Sequence, residues 1–233
     1  TNTDRRVQIG RKALQTPGDA RQDWWIIQEI ALRLGLNWSY TGPEDIHAEM
    51  QKCMPSMEHI SWDRLEKEDA VTYPCVDPQT PGQEIIFSDG FPPFSGRGKL
   101  VPADILSSEE VPDAEYPLVL TTGRVLEHWH TGAMTRRAAH LDKIEPEATV
   151  HISPDDMRKY GLNPGETVEI STRRGAIQLS ARLEPSMPDG VIFMPFCYAE
   201  AAANFLTTPA LDPHAKIPEL KFSAAKLERP RAK

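Results

Sequence analysis

The sequence predicts an α/β piece followed by a mainly-β closed barrel, and three features of its 233 residues point there. Within the first 73 positions apolar residues recur at helical spacing. From Pro74 to Pro117 that period disappears. Eight of the 21 prolines sit there, with glycines at 82, 90, 96 and 98, which describes an extended crossing segment and not a domain. Beyond Tyr116 come many short apolar runs cut by turn residues, a texture that a closed sheet accommodates without leaving strand edges exposed. These breaks divide the chain into 1–73, 74–111 and 112–233.

Composition narrows the function classes. A hydrophobic content of 39% with 26% charged residues describes an ordinary globular chain, long enough to bury a core. No apolar run approaches the roughly 20 residues of a membrane span, and TNTDRRVQIGRKALQ lacks the apolar stretch of a signal peptide, so a cytoplasmic chain is expected. A net charge of −8 argues against nucleic acid as the main partner. Residues 1–111 hold 11 Lys+Arg against 18 Asp+Glu, net −7, and residues 112–233 hold 15 against 16, net −1; an anionic ligand meets less repulsion in the second part. Cys53, Cys75 and Cys197 are far apart and show no metal-ligand spacing, so neither a zinc nor an iron–sulfur site is encoded. All three read as reduced thiols acting as small buried hydrophobes.

In chain order, Asp19 to Leu34 is expected to be a helix, capped by Asp19 with Gln22 three residues on and Gly35 just past its end. Ile27, Ile30, Ala31 and Leu34 share one face, read as core. A second helix starts near Pro43, with Glu44 and Asp45 in its first turn. A third covers Met57 to Glu66. In the crossing segment Arg97 and Lys99 flank Gly98 and could reach a phosphate or another domain, an exposed loop being the plainer reading. Tyr116 to Thr121 reads as a buried strand, and Gly123 as a sharp turn or a close approach to a ligand.

Behind Gly123 stand Arg124, His128, Trp129, His130, Thr131, Thr135, Arg136 and Arg137. Arg can grip phosphate through two parallel hydrogen bonds, an indole offers a stacking face, and His and Thr supply donors, so the group suits a large, flat, anionic ligand. Taken one at a time, each His or Trp has a structural reading as well. Thr131 to Leu141 is expected as a short helix, with Thr131 capping and Met134 and Leu141 facing inward. A strand over 149–152 precedes a helix that starts at Ser153-Pro154-Asp155-Asp156 and stops at Gly161. A turn at 163–165 leads to strands over 167–172 and 176–183, joined by a hairpin at 173–175. There Val168 and Ile170 alternate with Glu169, and Ile177 and Leu179 with Gln178, which buries one face. An apolar strand, 191–195, follows.

TTGRVLEHWHTGAMTRR resembles the pterin-binding segment that opens the C-terminal domain of the molybdenum or tungsten bis-(molybdopterin guanine dinucleotide) oxidoreductases, among them formate dehydrogenases and periplasmic nitrate reductases. MPFCYAEAAANFLTTPALDPHAKIPELKFSAAKLE resembles the second set of pterin contacts in that family, by position Asn204, Thr208, Lys221 and Phe222. The resemblance implies that the barrel is a double-psi β-barrel, the molybdopterin dinucleotide-binding domain. It implies cofactor contacts at Thr122, Gly123, Arg124, His128, Trp129, His130, Thr131, Asn204, Lys221 and Phe222. Asn204 has both a donor and an acceptor for a pterin or guanine edge, and Lys221 a charge for phosphate, although a backbone-bonded Asn and a surface Lys stay open as readings.

The same resemblance implies that Thr1 is not a native start, that the sheet of the α/β domain lies upstream of it, and that Asn2, Asp4, Arg5 and Arg6 face a missing part of the protein or the cofactor, unless they form a solvated loop. The family's cluster cysteines, metal-ligating residue and active-site His and Arg would also lie upstream. No catalytic residue and no metal ligand is therefore assigned, and Cys197 does not match the ligand's context. Bis-molybdopterin guanine dinucleotide with Mo or W is the implied cofactor. Iron–sulfur clusters are expected upstream or in partner subunits, with a flavin- and NAD-binding subunit passing electrons to NAD+. TNTDRRVQIGRKALQ, ISWDRLE and the YPC near Tyr73 resemble formate dehydrogenases, whereas the HWHTG run fits nitrate reductases equally. The expectation is the C-terminal part of a formate dehydrogenase catalytic subunit. A nitrate reductase fragment is one alternative, and a non-catalytic pterin-binding or assembly module another.

Overall fold

The computed structural model describes residues 1–92 and 95–230. Pro93 and Phe94 of the expected crossing segment, and 231–233 at the end of the expected barrel domain, lie outside the described residues. The chain forms two compact units, Thr1–Pro102 and Ala103–Lys233.

In the first unit, strand β1 (Arg6–Gln8) pairs antiparallel with β2 (Ala70–Thr72), Val7 opposite Val71. These two side chains join Met57, Ile60, Leu65 and Cys75 in a small core. With one core residue per three-residue strand, neither strand leaves an alternation in the sequence, and both escaped the reading above. Arg5 does not reach outward: its guanidinium donates to the carbonyls of Tyr73 (2.6 Å) and Gln83 (2.9 Å), and also to that of Glu84. Asn2 is used locally too, its Oδ1 accepting from the Arg6 N–H at 2.9 Å.

Helix α1 (Asp23–Arg33) starts four residues later than expected. Gln22 occupies the N-cap and no side chain caps, so Asp19 plays no part. The C-terminus is as read: Gly35 takes φ +85 and the Leu36 N–H reaches back to the Ala31 carbonyl at 3.0 Å, a six-residue closure that needs a left-handed residue. The expected core face is a correction. Ile27 is 55%, Ile30 54% and Leu34 75% exposed, and Ala31 is the helix's one buried residue, because no described element of this unit packs over that stripe.

Helix α2 (Pro43–Cys53) begins at Pro43 with Glu44 and Asp45 in its first turn, but Cys53 is exposed, contrary to its reading as buried. Helix α3 (Trp62–Glu68) is shifted along the chain. Ser61 caps it by accepting from the Arg64 N–H at 3.2 Å, and Pro55–Met57 forms a separate tight turn ahead of it. Buried His47 of α2 donates from Nε2 to the Ile60 carbonyl at 2.6 Å, tying these pieces together. Between β2 and the barrel, no described residue belongs to a helix or strand.

The second unit is a closed six-stranded barrel, consistent with the double-psi topology. Its strands are β3 (Leu118–Gly123), β4 (Thr149–Ile152), β5 (Thr167–Ser171), β6 (Ala176–Leu183), β7 (Val191–Pro195) and β8 (Ser223–Glu228), in the order β3-β7-β4-β6-β5-β8. β3 with β7 and β4 with β6 are parallel; the other pairs are antiparallel. Leu118, Leu120, Val150, Ile152, Val168, Ile170, Ile192 and Met194 fill the centre. β4, β6 and β7 match the expected spans. β8 escaped the sequence reading because Ser223, Ala224 and Ala225 are consecutive, small and all buried, which leaves no period of two.

Glu110 fastens the approach to the barrel. It accepts from Arg173 (2.5 Å), Arg174 (2.7 Å) and the Ala224 N–H (3.3 Å). Burial pushes its carboxyl up, and the two guanidinium groups outweigh that and hold it below the usual carboxylate range.

The expected 131–141 helix is replaced by a tight turn over Thr135–Arg137 and helix α4 (Ala139–Ile144). Gly132, at φ +75, turns the chain before any helix can start from Thr131, and Met134 is exposed. Helix α5 (Pro154–Tyr160) is as read: Ser153 Oγ accepts from the Asp156 N–H at 3.1 Å, and Gly161 at φ +64 ends it.

Candidate functional site

Parallel pairing of β3 and β7 decides where the site lies. Gly123 stands opposite Pro195, so both strands finish at one end of the barrel and release two loops side by side. The Phe196 N–H donates to the Gly123 carbonyl at 3.2 Å, stitching the loop starts together. Gly123 serves close approach and not a sharp turn. A Cβ there would fall 2.6 Å from Cε2 of Phe193, and its φ is not in the left-handed region.

A third segment joins them. The Thr122 hydroxyl, buried, donates to the Leu220 carbonyl at 2.8 Å, and Lys221 Nζ donates to the Thr122 carbonyl at 2.6 Å. Lys221 Nζ also lies 6.0 Å from the ring centre of Phe196, which the His130 ring meets edge-on at 5.4 Å. Thr131, Phe196, Tyr198 and Asn204, with three alanines, line a cavity of about 230 Å³. Asn204 is exposed there on a tight turn over Ala203–Phe205. Thr122, Gly123, His130, Thr131, Asn204 and Lys221 are thus gathered around Phe196. Phe196 and Tyr198 went unnoticed in the sequence, where the run Phe-Cys-Tyr behind an apolar strand was the available signal.

Arg124 and Trp129 stand beside this group and pair with each other, the guanidinium 5.3 Å from the indole centre and the indole 60% exposed. Among the described residues neither Arg124 nor Lys221 has a carboxylate partner, whereas Arg136, Arg173, Arg174 and Arg182 all do. Arg136, expected among the phosphate-gripping groups, is committed to Asp142 (2.8 Å) and Glu200 (2.6 Å) and lies over the Tyr198 ring at 4.6 Å; its hydrogen bond to Asp142 raises its pKa.

Three of the expected contact residues lie apart from this group. His128 is 2% exposed with both nitrogens in use: Nε2 to the Glu145 carbonyl at 2.7 Å, Nδ1 to Thr135 Oγ1 at 3.3 Å. Both ring nitrogens of this interior histidine are satisfied within the protein. Thr208 is buried, its N–H donating to Ser223 Oγ at 3.2 Å and its hydroxyl oxygen accepting from the Ala210 N–H at 3.3 Å. Phe222 is half-buried and absent from the cavity lining. Cys197 is buried and its thiol is pushed up by that burial, which keeps it protonated.

An aromatic wall, an amide, a hydroxyl and two unneutralised cations at one barrel end fit a flat heterocycle that carries phosphate. Residues 118–224 match the family model described as "Molydopterin dinucleotide binding domain", and residues 1–33 match "Molybdopterin oxidoreductase". The chain is 43% identical over 231 residues to the F420-dependent formate dehydrogenase subunit alpha of Methanocaldococcus jannaschii, covering 98% of this chain and 34% of that protein. It is 33% identical over 236 residues to the assimilatory nitrate reductase catalytic subunit of Bacillus subtilis, covering 97% of this chain and 33% of that protein. It therefore spans about a third of the length of these curated relatives. Acetylene hydratase from Pelobacter acetylenicus shares the fold at a TM-score of 0.69 and 18% identity, over 97% of this chain and 35% of that one.

Proposed function

We propose, from the premise that this chain belongs to the molybdopterin oxidoreductase family, that it is the C-terminal, cofactor-binding portion of a formate dehydrogenase catalytic subunit. The observation that carries this is the meeting of Thr131, Asn204 and Lys221 around Phe196, from three separate loops. A metal bound with two molybdopterin guanine dinucleotides would supply the redox chemistry that formate oxidation needs.

The residues here bind and orient. Arg124 and Lys221 neutralise phosphate, Trp129 and Phe196 give flat faces, and Asn204 reads a heterocycle edge. His130 and Thr131 add short-range donors, while Thr122 and Gly123 place them. Formate is favoured over nitrate by the higher identity to formate dehydrogenase, 43% against 33%. Iron–sulfur and flavin-binding subunits, a cytoplasmic location and NAD+ as acceptor belong to the same reading. The relative named as F420-dependent makes F420 the acceptor to compare with NAD+.

Two measurements test this on the intact protein. Arg124→Ala and Lys221→Ala should each weaken pterin retention roughly ten- to a hundredfold, the equivalent of one charge-assisted hydrogen bond; in the pterin-free proteins Arg124→Ala should melt as the wild type does, and Lys221→Ala slightly lower because it also loses its bond to the Thr122 carbonyl. Loss of thermal stability at full pterin content would show that these cations are scaffold. Formate oxidation measured against viologen-driven nitrate reduction decides the substrate, and nitrate reduction alone would overturn the formate reading. Native mass spectrometry that finds a natural 233-residue product without turnover would favour the assembly module.

A further inference from the structure

The loop that presents Trp129, His130 and Thr131 is strained. His130 takes φ +52, and Gly132 takes φ +75 where a Cβ would lie 2.7 Å from the Cys197 carbonyl oxygen. Such backbone needs a tether. The Trp129 N–H donates to Thr135 Oγ1 at 2.9 Å, and His128 Nδ1 is 3.3 Å from that same oxygen. His128 Nε2 is 2.7 Å from the Glu145 carbonyl, which can only accept, so Nε2 carries the hydrogen. Nδ1 is then free to accept, and the Thr135 hydroxyl, having taken the Trp129 N–H on a lone pair, donates its own hydrogen there. The bonds from Trp129 through Thr135 and His128 to Glu145 thus run in one direction. The Glu145 carbonyl also accepts from the Tyr198 hydroxyl at 3.0 Å, and Tyr198 is a wall of the cavity.

We propose that His128 is a positioning residue. Through Thr135 it fixes the backbone that presents Trp129 to Thr131, and through the Glu145 carbonyl it holds that loop in step with the Tyr198 wall, so the cavity is preset for a flat heterocycle that His128 never touches. This rests on the cofactor-binding reading above. Its reason is economy of motion: a preset pocket loses less loop freedom when the ligand arrives.

The test is backbone hydrogen exchange at residues 129–131 of the intact protein, read together with pterin content and melting temperature. Thr135→Val keeps the shape and removes the hydroxyl; His128→Phe keeps a ring and removes both nitrogens. Both should raise exchange at 129–131 about tenfold above that of Arg124→Ala, which loses pterin without touching the series, and both should lower pterin content. Thr135→Ser should restore exchange and pterin content together, and His128→Asn, which keeps an acceptor for Thr135 and loses the reach to Glu145, should fall between. Exchange in Thr135→Val and His128→Phe no faster than in Arg124→Ala would overturn the proposal, as would a Thr135→Ser protein that behaves like Thr135→Val. A wild-type protein that never carries pterin would instead overturn the reading beneath it, while the exchange rates still judge the tether.

Discussion

Leu120, Ile152, Ile170 and Ile192 in the barrel are essentially out of contact with water, while Ile27, Ile30 and Leu34 on α1 keep half or more of their surface wet, although apolar residues recur at strand spacing in β5 and at helical spacing in α1 alike. Periodicity states which residues share a face. It does not state that anything covers the face. The barrel supplies its own opposite wall by closing, because each strand's inner residues meet those across the lumen. A single helix has no such recourse, and within its unit α1 buries only Ala31.

The sharpest way to break this contrast is a pair of truncations followed by urea denaturation. Ile192→Ala should cost about 2–5 kcal/mol, as a buried aliphatic does when it leaves a cavity. Ile30→Ala should stay within about 0.5 kcal/mol. Equal losses would mean that α1 is covered after all. Next in size is Glu110→Ala, which strips the carboxylate from Arg174 and from the Ala224 N–H and should cost about 1.5–3 kcal/mol in thermal melting; no change would separate that approach segment from the barrel's stability. Gly123→Ala should cost about 1–3 kcal/mol by forcing the Phe193 ring aside, and a neutral result would show slack where β3 and β7 meet.

The smallest effect concerns pH. His151 on β4 packs edge-on to Phe193 at 5.1 Å with Nε2 unpartnered, and burial, then Arg182, lowers its pKa. The unfolded chain then binds the proton more readily than the folded one. Stability is fully present above the unfolded value near 6.5 and declines as pH falls through the folded value below it. Melting scans from pH 7 to pH 5 should show part of that decline abolished in His151→Phe.

How much could be read in advance follows the same division. Turn chemistry was legible: Ser153 and Pro154 start α5, Gly161 stops it, and strands 176–183 and 191–195 fall where expected, because these signals are local. Residues that the sequence singled out together, from Thr122 to Thr131 with Asn204 and Lys221, are also brought to one end of the barrel. The sequence could not tell which members face outward. His128 and His130 are two residues apart in one cluster, yet one is interior and the other exposed, a distinction set by the partners that Thr135 and Glu145, 7 and 17 residues further on, offer the His128 ring. β1, β2 and β8 were missed because pairing partners, and not their own patterns, define them.

The position of β8 between β3 and β5 has a consequence for synthesis. β3 (Leu118–Gly123) is the first barrel strand to leave the ribosome, yet its two neighbours, β7 (from Val191) and β8 (from Ser223), are the last two made, so one of its edges waits unpaired until Val191 and the other until Ser223. A chain halted before Ser223 would present β3 and β5 as open templates for pairing with other chains, and such nascent products should aggregate or require a chaperone until the final strand arrives.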